Sequence, residues 1–273
     1  MPKSIPVLCG SITVEPYSFG VKIHNAAYRF LGLDYTYVCF GVGSAELAVQ
    51  AIRTLGIRGM SVSMPYKQAV MPFLDQIDEA ALSIGAVNTI NNLGGSLTGY
   101  NTDYVGAIRA LEETTDISGK ELAILGAGGV ARAIAYGAKR EGAKVTIFNR
   151  SRARGTALAD AFGLKFGGSV DDFRANDFSI LLNATSAGFR APEVNPAEGK
   201  LASHLVVMDV VFIPAATKLI REAKALGCKT VNGTRMLIHQ ACGQIELYTG
   251  CKRAPYQVME QALLDEIEKT SRC

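Results

Sequence analysis

An α/β protein of two domains is what this sequence predicts, on three observations. Short apolar runs alternate with helix-period patterns over most of the 273 residues. A turn signal, Ser118-Gly119-Lys120, restarts the alternation near mid-chain. Just beyond it a glycine cluster, Gly126 to Gly129, stands between an apolar run and a helical pattern, as in a doubly wound sheet. A chain of this length suits one large domain or two ordinary ones.

In the first half, Ser4 to Cys9, Thr36 to Phe40, Gly59 to Met64 and Leu97 to Tyr100 are runs of strand length. Val21 to Leu31, Ser44 to Leu55 and Gln68 to Leu74 carry helical spacing. Residues 1 to about 102 therefore read as one βαβ-type unit. In the second half, Glu121 to Leu125 is a strand and Gly129 to Glu141 a helix; Lys144 to Phe148 and Ser151 to Phe162 repeat the pair. Phe178 to Leu182 and Leu205 to Val211 are further buried strands, joined by right-handed crossovers. Two helical patterns follow Gly233, roughly Thr234 to Tyr248 and Ala254 to Lys269. They fit either unit; packing on the first would build that domain from both chain ends.

Composition excludes several classes. At 48% apolar and 19% charged the chain is globular rather than disordered. A net charge of +3 is too small to argue for nucleic acid. The six cysteines form no C-x-x-C pair, and three histidines (His24, His204, His239) add no zinc-type spacing, so reduced thiols and no metal are expected. The apolar run Ile5 to Cys9, broken by Pro6, is too short for a signal-peptide core. No stretch approaches the ~20 apolar residues of a membrane span. A cytoplasmic protein with neither nucleic-acid nor membrane partner is expected.

The run Gly126-x-Gly128-x-x-Ala131 fits the dinucleotide fingerprint in its G/A form. The first glycine allows the tight turn. The second lets backbone N–H groups approach a pyrophosphate at a helix amino terminus. Cofactor choice is read at the end of the next strand, where an NAD site carries an acid for the ribose hydroxyls. Here that strand ends in Phe148-Asn149-Arg150-Ser151-Arg152-Ala153-Arg154, with three arginines and no acid. Guanidinium groups suit a phosphate dianion, so NADP is expected, with Arg150 the leading ligand. Arg152 and Arg154 also read as a solvated basic helix start.

Ligands of open α/β sheets sit beyond the carboxyl ends of strands. Lys67 lies past such an end because Pro65 cannot continue a central strand. Asp103 and Asn88 read as lying past other ends, and Asn183-Ala184-Thr185-Ser186-Ala187-Gly188 past another. A lone lysine is ordinary surface charge; one on a rim with several polar clusters is a candidate acid.

Seven segments resemble, in order, blocks of the shikimate dehydrogenases: Ser61 to Lys67, Gly85 to Thr89, Gly99 to Asp103, Gly126 to Ala133, Asn149 to Arg154, Asn183 to Gly188 and Gly233 to Gln240. The resemblance spans nearly the whole chain. It implies reversible reduction of 3-dehydroshikimate to shikimate with NADPH, in the aromatic amino-acid pathway. It implies a substrate-binding and catalytic domain of residues 1–102 plus 238–273, around a Rossmann-type NADP-binding domain of residues 103–237. It assigns Lys67 as general acid/base and Asp103 as its partner. Substrate contacts transfer to Ser18, Gly20, Ser63, Asn88, Phe212 and Gln240. Candidate cofactor contacts are Gly126, Ala127, Gly128, Gly129, Val130, Asn149, Arg150, Ser151, Arg154, Thr185, Val210 and Gly233. A monomer or homodimer acting on a small molecule is expected.

The chain also departs from the family pattern. Family members usually show S-x-S-P where this sequence has Ser18-Phe19-Gly20-Val21, so the second serine and the proline are absent. Phe212 stands where a tyrosine is frequent, and Tyr104 replaces the glycine that often follows the aspartate. Gly20 and Phe212 each remove a hydroxyl; a lost hydrogen bond to a charged group is worth about 1.5–3 kcal/mol. A divergent member with weakened or redirected substrate preference is expected. The alternatives are a dehydrogenase acting on quinate, another small hydroxy acid or methylenetetrahydrofolate, and a non-catalytic NADP-binding sensor.

Overall fold

The computed structural model describes residues 5–189 and 191–271. The chain divides into two compact units, one formed by residues up to Thr102 together with those from Ile238 on, the other by Asp103–Leu237. The elements of the amino-terminal part are β1 (Val7–Thr13), α1 (Phe19–Phe30), β2 (Tyr35–Gly41), α2 (Ala45–Thr54), β3 (Gly59–Val62), α3 (Tyr66–Ala69), β4 (Gln76–Ile77), α4 (Glu79–Ile84), β5 (Thr89–Leu93) and β6 (Ser96–Tyr100). Helix α5 (Thr102–Glu112) leads into β7 (Glu121–Leu125), α6 (Gly129–Arg140), β8 (Lys144–Phe148), α7 (Arg152–Phe162), β9 (Lys165–Gly168), β10 (Ile180–Asn183), β11 (Val206–Asp209), α8 (Lys218–Ala225) and β12 (Lys229–Val231). Helices α9 (Gly233–Thr249) and α10 (Tyr256–Ser271) follow.

The sheet of the second unit has the order β12-β11-β10-β7-β8-β9, with every pairing parallel. Its inner strands β10 and β11 are buried along their whole length, as a sheet covered by helices requires. Along β10, Ile180 and Leu182 join one buried cluster with α5 and α6, while Leu181 joins another with Phe173, Phe178 and Leu219. The strand order reverses between β7 and β10, which makes their carboxyl ends the switch point of the fold.

The sheet of the first unit has the order β2-β1-β3-β5-β6-β4 and is mixed. Strands β1, β2 and β3 are parallel, and β5 runs antiparallel to both β3 and β6. The βαβ expectation therefore holds only for its first three strands. A two-residue turn, Gly94-Gly95, joins β5 to β6 with both φ angles positive, the pattern a tight hairpin favours. One face of this sheet is apolar: Ile12, Met60, Val62, Ile90 and Leu97 pack on α2 through Ala45, Ala48, Val49 and Ile52. On the other face a row of hydroxyls crosses the sheet in register, Ser11 beside Ser61 and Ser61 beside Thr89.

Several expected boundaries move. Ser4 lies outside the described residues, and β1 begins at Val7 and runs on to Thr13. Helix α1 begins at Phe19, so Gly20 is helical. Strand β3 stops at Val62, and β11 stops at Asp209. The helix expected over Gln68 to Leu74 is the short α3 followed by a 3₁₀ turn at Met71–Phe73; Pro72 lacks the N–H that a continuous helix needs.

Candidate active site

The clearest site in the second unit is a cleft of about 660 Å³ at the switch point. Its floor is Gly126, Ala127 and Gly128; its walls are Asn149, Arg150, Ser151 and Arg154 on one side and Ala184 to Ala187 on the other. Gly126 has φ +116°, and a Cβ there would sit 3.1 Å from the Ala184 carbonyl oxygen, so only glycine suits the turn. At Gly128 and Gly129 a Cβ would meet no protein atom within 4 Å. Their bare backbone is thus not explained by crowding inside the fold; it leaves room for a group to approach. Gly128 caps α6 without a side-chain hydrogen bond, and the first turn of α6 carries no acid. An exposed helix amino terminus of this kind attracts a pyrophosphate. By contrast Ser151 caps α7 with its own hydroxyl. Arg150 and Arg154 are both exposed at that cap, where no carboxylate replaces them. The residues present therefore fit NADP.

Behind this cleft a buried carboxylate organises the loops. Asp209 is fully buried, which pushes its pKa up, while three donors hold its charge. Asn183 Nδ2 donates to its Oδ1 at 2.9 Å, Val211 N–H at 3.1 Å, and the Thr217 hydroxyl to Oδ2 at 2.6 Å. Asn183 Oδ1 in turn accepts from the N–H and hydroxyl of Thr185. One aspartate so fixes Thr185 and the turn carrying Val210 and Phe212. Val210 and Gly233 do not line the cleft but meet each other: a Cβ on Gly233 would stand 2.5 Å from the Val210 carbonyl oxygen. Gly129 and Val130 form the start of α6 behind the floor. Val170 and Ala191 line the cleft without having been singled out in the sequence, since two small apolar side chains in loops carry no pattern.

In the first unit Ser63 and Asn88 lie at one edge of the mixed sheet. Ser63 follows β3, its N–H bonded to Ile12 O at 3.0 Å and its carbonyl accepting from Tyr66 N. That turn, with a cis Met64–Pro65 peptide, puts Lys67 in α3. The Lys67 carbonyl accepts from Val87 N–H at 2.8 Å, which ties α3 to the residue before Asn88. Asn88 lies before β5, not past a strand's carboxyl end as the sequence suggested. Because β5 is antiparallel to β3 and β6, its amino end falls at the same edge as their carboxyl ends. Asn88 is buried, and its Oδ1 accepts from Thr102 N–H at 2.7 Å and from the Thr89 hydroxyl at 2.8 Å. Asp103, also buried, is the next residue after Thr102 and belongs to the second unit. There Tyr104 lies edge-on to Tyr136 of α6 at 5.4 Å, and Gly137 permits that close approach.

Ser18 precedes α1 without capping it, and Gly20 lies in its first turn. A Cβ at Gly20 would meet only the Tyr37 ring, at 3.6 Å. Gln240 lies in α9, in the part belonging to the first unit. Thr89, Thr102 and Gln244, which hold Asn88 in place, carry no functional signal of their own in the sequence. Two of them stood inside quoted motifs, and Gln244 stands one helical turn beyond Gln240.

A doubly wound unit with a phosphate-ready glycine turn and a basic strand end, and a mixed-sheet unit edged with polar side chains, define an NADP-dependent oxidoreductase. The comparisons specify which. Residues 14–90 match the shikimate dehydrogenase substrate binding domain, 233–264 the shikimate 5'-dehydrogenase C-terminal domain, and 121–213 the family described as NADP oxidoreductase coenzyme F420-dependent. The shikimate dehydrogenase (NADP(+)) of Pyrococcus abyssi is 42% identical over 236 residues, covering 86% of this chain and 88% of that protein. A crystal structure of a shikimate dehydrogenase in complex with NADP+ superposes with a TM-score of 0.90 at 37% identity, covering 96% of both chains. The ligand-free 5-ketofructose reductase of Gluconobacter sp. strain CHM43 does so at 0.89 and 34%, covering 96% of this chain and 99% of that one. The chain belongs to the shikimate dehydrogenase family.

Proposed function

We propose that this protein is an NADP-dependent dehydrogenase that reversibly reduces 3-dehydroshikimate to shikimate in the cytoplasm. The observation that carries the reading is the 42% identity to a shikimate dehydrogenase over 86% of the chain. The glycine turn and arginines of the second unit support the cofactor. NADPH, when bound, supplies the hydride. Lys67 gives its ammonium proton to the oxygen of the reduced carbonyl and takes it back in the reverse direction. Asp103 is its carboxylate partner, and Ser18, Ser63, Asn88 and Gln240 orient the substrate. Gly128 and Gly129 receive the pyrophosphate, and Arg150 the 2′-phosphate.

The test is nicotinamide absorbance with wild type and Lys67→Ala. Wild type oxidises shikimate with NADP, and Lys67→Ala loses about 10²–10⁴ in kcat while still binding NADPH. Cofactor binding with no Lys67-dependent turnover on any substrate overturns the enzymatic reading in favour of a sensor. The panel holds shikimate, quinate and 5-ketofructose, because Gly20 and Phe212 lack hydroxyls. Tight, efficient turnover of shikimate refutes the divergent preference and leaves the dehydrogenase standing.

A further inference from the structure

We infer that Gln244 is a positioning residue: it braces the orientation of the Asn88 side-chain amide through the hydroxyl of Thr89. The inference rests on the reading of Asn88 as a substrate ligand. Gln244 is 1% exposed, Thr89 0% and Asn88 1%, so water does not compete for these groups. Gln244 Nε2 donates to Thr89 Oγ1 at 3.1 Å, although 155 residues separate them. The Thr89 hydroxyl donates to Asn88 Oδ1 at 2.8 Å. Thr89 Oγ1 also lies 3.2 Å from Thr102 Oγ1, where either can donate; the shorter path of donors runs from α9 through β5 to Asn88.

The Thr102 backbone decides which end of the Asn88 amide is oxygen, and Thr89 with Gln244 braces the amide in that orientation. A backbone N–H only donates, and that of Thr102 reaches Asn88 Oδ1 at 2.7 Å. The atom it meets is therefore oxygen, and the amide is not flipped. With the Thr89 hydroxyl and the Thr102 N–H both on Oδ1, Nδ2 is the donor end of the amide, and it donates to Thr102 Oγ1 at 3.0 Å. Asn88 is thereby matched to an acceptor oxygen. Gln244 keeps the Thr89 hydroxyl turned toward Asn88, because Thr89 Oγ1 receives a donor from the other side. Helix α9 lies close enough for this at Gly243, where a Cβ would stand 3.3 Å from Thr102 Cγ2.

Gln244→Leu keeps the bulk and removes the donor; Thr89→Val removes the hydroxyl. Each is expected to raise KM for shikimate about tenfold, the loss of one buried hydrogen bond, with NADPH affinity unchanged. Thr89→Ser is expected to restore wild-type KM. The double variant is expected to be no worse than the worse single one. An unchanged KM in Gln244→Leu, or single effects that multiply in the double variant, overturns the relay. Should those variants not fold, solvent exchange of the Asn88 side-chain N–H₂ is compared by NMR between wild type and Gln244→Asn: faster exchange in the variant supports the relay, and an equal rate overturns it. Asn88→Ala separates the two layers. Unchanged shikimate KM in that variant overturns the role of Asn88 itself, and the relay is then judged by amide protection alone.

Discussion

At the end of β8 the chain places Asn149 and Arg150 where an acid would hold unphosphorylated ribose. Arg150 is exposed beside the cleft, so its guanidinium is available to a phosphate without a desolvation penalty. Arg150→Ala is expected to weaken NADP binding about 10–100-fold, the worth of a charge-assisted hydrogen bond, and to leave NAD binding unchanged. Fluorescence titration with both cofactors measures this; equal losses for both would move the phosphate site elsewhere. Gly20 poses the opposite problem, a missing group in a place that has room. A serine Cβ there makes ordinary contact with Tyr37, at 3.6 Å, and serine is a better helix former than glycine. Gly20→Ser is therefore expected to fold normally. It should lower KM for carboxylate-bearing substrates several-fold and leave 5-ketofructose turnover unimproved. A folded Gly20→Ser enzyme with unaltered preferences would show that position 20 does not select the substrate.

Elements differ in how openly the sequence announces them. β7, the glycine turn, α6 and β8 are contiguous, and each is specified by local chemistry, so their order and role could be read directly. The β5–β6 hairpin is only half legible in the sequence. Its Gly94-Gly95 turn was a usable signal, but β5 reads Thr-Ile-Asn-Asn-Leu, and asparagine is rare in strands. Those asparagines are satisfied by distant groups: Asn91 by Arg58, and Asn92 by the carbonyls of Ile52 and Ile57. Such partners are invisible before folding, and so is the antiparallel turn that brings Asn88 to the right edge. Gly59 in β3 shows the same dependence. Nothing local demands glycine there, yet a Cβ would lie 2.2 Å from Cδ1 of Tyr248 in α9. Gly59→Ala forces that ring to move, and overpacking of this kind costs about 1–3 kcal/mol. Thermal unfolding should show a lowered Tm with the NADPH-binding cleft intact. A Tm equal to wild type would mean that α9 shifts freely on the sheet.

Taken over the whole chain, the sequence disclosed the alternation of elements and the fingerprint, but not the polar layer inside the first unit. That layer makes stability depend on pH through one residue. His24 is 2% exposed, its ring stacks on Tyr37 at 4.0 Å, and Tyr28 and Tyr248 lie about it at 6.4 and 6.3 Å. Its Nδ1–H donates to Gly20 O at 2.9 Å; that carbonyl and the Gln244 side chain favour the charged ring, and burial outweighs both. Protonating Nε2 would bury a cation among phenol rings, and burial lowers the pKa from 6.5 to about 4. Above 6.5 the imidazole is neutral whether the chain is folded or not, and it contributes no pH dependence. As pH falls from 6.5 toward 4, the unfolded chain takes up a proton that the folded one refuses, so stability is lost. Below about 4 the full loss is present, about 3 kcal/mol from the size of the shift. His24→Phe keeps a ring against Tyr37 and cannot titrate. Urea unfolding at pH 7.5 and 4.5 should therefore show a smaller acid loss in His24→Phe than in wild type, by about 2–3 kcal/mol. Equal losses in the two proteins would assign the acid sensitivity to carboxylates and leave His24 a neutral packing group at every pH at which the protein is folded.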